Sequence, residues 1–163
     1  MSSCVVEVQG CSWKSTYFAK EICVYNNNNF YTFLVKQEKP YRSFRPEQRK
    51  IINWTFKKYH GIPWESGKHT LEQLKPLLKQ IIGDKNIIFT KGQSKALFLK
   101  NLLNIEVIDL SKIKCPSVSK REYKTNCLLH KAANAYCAAD SAHLLINFIN
   151  GHAEFKKCFE KVE

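Results

Sequence analysis

The chain has 163 residues, 44% of them apolar and 12% aromatic, which suits one globular domain spanning 1–163 and excludes wholesale disorder. Twenty-six Lys and Arg against fourteen Asp and Glu leave a net charge of +12, which points to a polyanionic partner, nucleic acid being the usual one. The start, MSSCVVEVQG, lacks the basic and apolar regions of a secretory signal, and no stretch is long and apolar enough to span a bilayer. The expectation is an intracellular protein of the nucleus or cytoplasm, with no membrane role and with a monomer assumed.

Three strands open the chain. CVVEVQG (4–10) is an apolar run containing one acid and ended by Gly10, and TYFAKEICVYN (16–26) alternates with aromatic and β-branched residues. NNNN (26–29) makes a polar turn into FYTFLVK (30–36), so the three form an antiparallel meander. RPEQRKIINWTFKKYHG then reads as a helix, with Pro46 near its start, Gly61 as its stop and apolar Ile51, Trp54 and Phe56. In TLEQLKPLLKQIIG (70–83), Thr70 is an N-cap and Leu71, Leu74, Leu77, Leu78 and Ile81 form one face, while Pro76 predicts a kink or a late start. A strand at NIIFT (86–90), a helix at SKALFLKNLL (94–103) and a strand at IEVIDL (105–110) follow. The final helix begins near Asn134, its N-cap, with Tyr136, Ala139, Leu144 and Phe148 on its apolar face. A meander feeding βα crossovers gives an α/β fold with a mixed sheet covered by helices.

The seven cysteines do not read as a disulfide framework, because the number is odd and a chain of this length needs no staples. They read as reduced thiols, most of them small buried hydrophobes. Cys115 in KCPSV is a buried loop residue on this reading, Asp109 belongs to a hydrogen-bonded turn, and His143 and His152 are surface residues.

Four stretches, VVEVQG, YHGIPW with the helix after it, IIFTKGQSKALFLKNLL and HKAANAYCAADSAHLL, together resemble the DnaQ-type (DEDD) exonucleases of the ribonuclease H-like superfamily. VVEVQG is similar to their first strand, YHGIPW with TLEQLKPLLKQII to a His-Gly-Ile segment and the helix after it. IIFTKGQSKALFLKNLL resembles a strand-loop-helix, and HKAANAYCAADSAHLL the last helix. The resemblance implies a ribonuclease H-like mixed sheet flanked by helices. The departures imply that catalysis is lost, since two divalent cations need a cage of carboxylate oxygens. Glu7 and Gln9 stand where the family carries Asp and Glu, Lys95 falls at the second Asp position, and Cys137 at the last, with Asp140 nearly a turn beyond. No catalytic residue is assigned.

Glu7 followed by Cys127, His130 and Cys137 in CLLHKAANAYC makes a Glu-Cys-His-Cys set in that order. In this the chain resembles one branch of the superfamily, the Maelstrom domain, where such a set binds zinc in place of the acids. Small arthropod proteins linked to mobile elements are also similar, through KGQSK, KCPSV and CLLH. A carboxylate inside VVEVQ also needs a proton, cation or metal if buried. Against this stands the plainer reading of two buried thiols and a hydrogen-bonded histidine. A continuous helix would hold His130 and Cys137 roughly 10.5 Å apart, so a shared ion requires a bend between them.

For nucleic acid, Lys91 and Lys95 lie beside the former active site, and Arg42, Arg45, Arg49, Lys57 and Lys58 are interleaved with aromatics. Trp54 reads as core, whereas Trp64, following Pro63 in a loop, is the better residue to stack on an unpaired base. The leading expectation is a zinc-containing, nucleic-acid-associated module, with single-stranded RNA favoured over DNA. The alternatives are a nuclease using unconventional residues and a protein-interaction adaptor on a nuclease scaffold.

Overall fold

In the computed structural model, residues 2–116, 130 and 136–156 are described. The meander forms as expected, with strands longer than the apolar runs. These are β1 (Ser3–Trp13), β2 (Thr16–Asn26) and β3 (Asn29–Lys36), all antiparallel. Asn27 and Asn28 turn β2 into β3 with positive φ, a conformation asparagine tolerates better than most residues. On the other side of β1 lie β5 (Ile87–Thr90) and β6 (Glu106–Asp109), each parallel to its neighbour. A two-residue β4 (His69–Thr70) adds to β3, so the mixed sheet runs β4-β3-β2-β1-β5-β6.

Helices cover both faces. Cys4, Val6, Val8, Ile22, Val24 and Ile88 meet α2 (Leu71–Ile82) and α3 (Gln93–Leu103) on one face. Val5, Cys23 and Phe89 meet α4 (Ala138–Asn150) on the other, and the short α5 (Ala153–Lys156) follows. This division follows from strand alternation: Val5, Glu7 and Gln9 share the α4 face of β1, while Cys4, Val6 and Val8 share the opposite one. Burial on both sides explains why β5 is fully buried over its four residues.

Helix α2 starts at its capping box, with Thr70 Oγ1 accepting from Gln73 N and Thr70 N donating to Gln73 Oε1. It runs through Pro76, and its buried face is Leu74, Leu78 and Ile82, with Leu77 left exposed. Helix α1 (Pro46–Thr55) begins at Pro46 and continues into a π-helical turn, Phe56–His60, that Gly61 ends in the left-handed region. Helix α4 begins at Ala138 with Cys137 as N-cap, later than the sequence suggests; Asn134 lies outside the described residues.

Gly10 does not end β1. The strand continues past it through a bulge: Gln9 pairs with Glu21 and Gly10 with Ala19, leaving Lys20 as the extra residue of β2. A Cβ on Gly10 would lie 2.0 Å from Phe18 O, so only glycine permits this approach. Lys20 is fully buried, and its Nζ donates to the carbonyls of Val35, Trp64 and Ser66, each at 2.8 Å. Burial pushes its ammonium down to about 8, with Glu65 opposing. The bulge thus aims one cation at three carbonyls and ties the 61–66 loop to β3.

Lys20→Ala would leave those three carbonyls unpaired in the interior. The expected loss is roughly 2 to 4 kcal/mol, seen as a lowered urea midpoint with an unchanged slope. An unchanged midpoint would contradict the anchoring role.

Candidate metal centre and adjoining cleft

Two carboxylates are buried on the α4 face of the sheet, Glu7 at 1% exposure on β1 and Glu21 at 0% on β2. They are not equivalent, because their partners differ. Glu7 Oε1 accepts from Thr90 Oγ1 at 2.7 Å and from Lys91 N at 2.8 Å, and Lys95 Nζ stands 3.5 Å from Oε2. An ion pair and two hydrogen bonds therefore satisfy it. The expectation that Glu7 joins the cysteine–histidine set is corrected here: the converging residues are Glu21, His130 and Cys137. Their ligand atoms all lie within 4.8 Å of one another, close enough to hold a metal ion. Among the described residues they are the one group of three such side chains that converge. Cys127, the remaining member of the expected set, lies outside the described residues.

Glu21 occupies this position because of register. It sits opposite Gln9, one pair along from the Glu7–Cys23 pair on the same face, beside His130, Cys137 and the start of α4. Its Oε1 accepts from Ala138 N, so it also caps α4 at the positive end of the helix dipole. Its Oε2 lies 2.9 Å from His130 Nε2 and 4.0 Å from Cys137 Sγ.

The histidine tautomer decides what this cluster can hold. His130 Nδ1 contacts the His60 carbonyl, an acceptor only, so Nδ1 carries the proton. In a neutral ring Nε2 then presents a lone pair to a carboxylate 2.9 Å away, and two lone pairs at that distance repel. Nε2 is buried, and unless it is protonated it has no hydrogen to give the Glu21 carboxylate. Either a second proton or a metal ion resolves the conflict. Tetrahedral bonds of about 2.0 to 2.3 Å place ligand atoms roughly 3.3 to 3.7 Å apart, and the observed 2.9 and 4.0 Å bracket that range. A thiolate, an imidazole and a carboxylate fit a borderline-soft divalent ion better than Mg²⁺ or Ca²⁺. Cys137 is itself extended, and α4 begins only after it, at Ala138.

Without an ion the proton takes over. Burial opposes the charge, but Cys137, Glu21 and the His60 carbonyl together push His130 up to about 10. The neighbouring His60 moves the other way: burial, helped by His130 and Lys20, pushes it down to about 4. His60 Nδ1 accordingly accepts from Ile62 N at 2.9 Å as a neutral ring.

Beside this centre lies a cleft of about 540 Å³, whose lining includes Glu7 with its neighbours Lys91 and Lys95, and the contacting rings of Trp54, Tyr59 and Tyr136. Lys91 and Lys95 therefore share one wall, though Lys95 also neutralises Glu7. Asp109 braces that wall by accepting from Gly92 N at 2.8 Å and Ser111 N at 2.9 Å. Those bonds and Lys112 hold its carboxyl below the usual range although burial opposes them. Arg42, Arg45, Lys57 and Lys58 are exposed and Arg49 half-buried, and none of the five lines the cleft.

The two tryptophans exchange the roles expected of them. Trp64 is buried at 8%, edge-on to Phe18 and Phe44, and its Nε1 donates to Lys39 O, so it is core and not a stacking surface. Trp54 is 54% exposed and packs on Tyr59 at 5.1 Å. The inward positions of α1 are Ile52 and the polar Thr55, whose Oγ1 returns to Ile51 O, which turns Trp54 outward. Cys4, Cys11, Cys23 and Cys115 are buried free thiols, and burial raises each of them. His143 is half-buried, stacked on Phe30 at 4.0 Å. Among the described residues no helix is long and apolar enough to cross a membrane.

Compared with known proteins, the chain matches no family model and no curated protein.

Proton and metal states of the centre respond oppositely to pH. In metal-free protein the folded His130 value of about 10 lies above its ordinary 6.5, so the ion pair stabilises fully below about 6.5 and is lost as pH rises through about 10. In loaded protein, ligands must shed protons, so the stability contributed by metal falls toward acid. Chelator-treated protein should therefore lose melting temperature from about pH 7 to about pH 10, while the increment contributed by metal should shrink from about pH 7 to about pH 5. Superimposable pH profiles with and without chelator would contradict metal occupancy.

Proposed function

We propose that this chain is a zinc-stabilised, nucleic-acid-associated module on a ribonuclease H-like scaffold, binding single-stranded RNA in preference to DNA and working in the nucleus or cytoplasm. Support for the scaffold comes from the strand order, an antiparallel meander with parallel strands added beyond β1. Support for zinc comes from the donor set, with Glu21 in place of Glu7 preserving the Glu-Cys-His-Cys order of the Maelstrom resemblance and Cys127 assigned from that resemblance as fourth ligand. Four protein ligands would close the coordination sphere, so the ion's contribution is to folding and not to chemistry.

The observation that carries the nucleic-acid reading is the cleft. Its lining combines two lysines with three aromatic side chains around about 540 Å³, and Trp54 and Tyr59 are exposed at 54% and 39%. Lysines meet phosphates, and aromatic faces accept any unpaired base. Ordinary two-metal hydrolysis does not fit there, since the ammonium of Lys95 stands 3.5 Å from Glu7, where a divalent cation would have to bind.

A salt titration by fluorescence anisotropy, with RNA and DNA single strands of matched sequence, tests this reading. Affinity should fall with salt at a log–log slope of roughly −0.7 per phosphate neutralised, and Lys91→Ala should flatten that slope. Trp54→Ala should weaken binding by about 1 to 3 kcal/mol even at high salt, whereas Trp64→Ala should act through stability. Mg²⁺ or Mn²⁺ should produce no ladder from an end-labelled strand. Absence of binding to either polymer at low salt would overturn the proposal.

A further inference from the structure

The aromatic wall of the cleft is not built by α1 alone. Trp54 leans on Tyr59, and Tyr59 in turn lies against Tyr136, with ring centroids 5.3 Å apart and planes 33° from parallel. Tyr136 comes from the segment that carries the metal ligands and immediately precedes Cys137. Its backbone N–H donates to Tyr59 O at 2.7 Å. The next carbonyl along, that of His60, accepts from His130 Nδ1.

These two carbonyls end the π-helical turn Phe56–His60, where Gly61 N closes onto Phe56 O and reverses the backbone at φ 60°. The last carbonyls of any helical turn have no intrahelical donor and need one from elsewhere. Here both donors come from the ligand-bearing segment, His130 at one end and Tyr136 at the other. The contact with His60 O is also what aims His130 Nε2 at Glu21, the relation by which a histidine's second nitrogen orients a metal ligand. Glu21, the His130 imidazole and the π turn thus form one chain of contacts ending at Trp54.

We propose that occupancy of the Glu21–His130–Cys137 centre assembles the aromatic wall, so that metal binding switches on base stacking in the cleft. The inference rests on the metal and nucleic-acid readings above. It assigns Tyr136 as the residue through which the one acts on the other. With the ion bound, Cys137 and His130 are fixed together and Tyr136 is held on Tyr59. With the ion removed, the bonds that fix Cys137 and His130 to one point are lost, and the Tyr136–Tyr59–Trp54 stack loosens.

The test compares as-purified, chelator-treated and zinc-restored protein, with zinc content measured on each. Acrylamide quenching of tryptophan fluorescence reports the wall, and a Trp54→Phe variant identifies the Trp54 share of any change. Binding of a uridine-rich RNA strand by anisotropy reports the cleft. Metal removal should raise quenching reversibly, the rise should vanish in Trp54→Phe, and RNA affinity should drop roughly fivefold or more. Tyr136→Ala, loaded with zinc, should reproduce the higher quenching and weaker binding without loss of metal, which keeps the test decisive if the metal-free protein unfolds. Tyr136→Phe should behave as wild type. Unchanged quenching and affinity in zinc-loaded Tyr136→Ala would overturn the proposal, as would protein that holds no zinc. If quenching responds and no RNA binds, the coupling stands and the nucleic-acid reading alone fails.

Discussion

A buried carboxylate must be matched by a proton, a donor, a cation or a metal, and this fold buries two of them on one face of one sheet. Most of what distinguishes the molecule follows from how the two are matched. Glu7 is matched internally, by Thr90, Lys91 N and Lys95, which fixes the strand-to-helix connection after β5. Glu21 is matched by the chain's C-terminal part, capping α4 and meeting His130 and Cys137. One carboxylate thus joins elements within the α/β core, and the other holds the last helix against it.

The two solutions have different consequences. A lysine beside Glu7 supplies a fixed positive charge at the edge of a cleft whose lining also includes Trp54, Tyr59 and Tyr136. A histidine and a cysteine beside Glu21 stand close enough to hold an ion, and hydrogen bonds from His130 and Tyr136 to His60 O and Tyr59 O join this cluster to the π turn after α1. Lys20 works in parallel from the bulge, holding the 61–66 loop behind the same turn. The hydrophobic layers on both faces supply the stability that allows so many polar groups to be buried.

Local patterns made much of this legible. Alternation marked the meander, Thr70 with Gln73 marked the start of α2, and Pro46 and Gly61 bracketed α1 with its π turn. Two of the three converging residues, His130 and Cys137, were also visible as residue types with the right chemistry. What escaped depended on pairing across the chain. Glu21 in KEIC obeys the same rule as Glu7 in VVEVQ, a lone acid within an apolar strand, but only the register with β1 shows which one faces the incoming segment. Hydrophobicity misassigned Trp54, because a small polar Thr55 with its hydroxyl returned to the backbone fits the inward position of α1 better than indole does, and position in a loop after Pro63 misassigned Trp64. Trp64 in turn is held by Phe18 and Phe44, which lie far from it in sequence.

The central claim is that Glu21, and not Glu7, shares a metal with His130 and Cys137. Crystals of the unchelated protein, measured on both sides of the zinc absorption edge, test it most directly. The account predicts one anomalous peak within bonding distance, about 2.0 to 2.3 Å, of a Glu21 oxygen, His130 Nε2 and Cys137 Sγ. A peak at Glu7, or no peak with the His130–Glu21 pair intact, would contradict it.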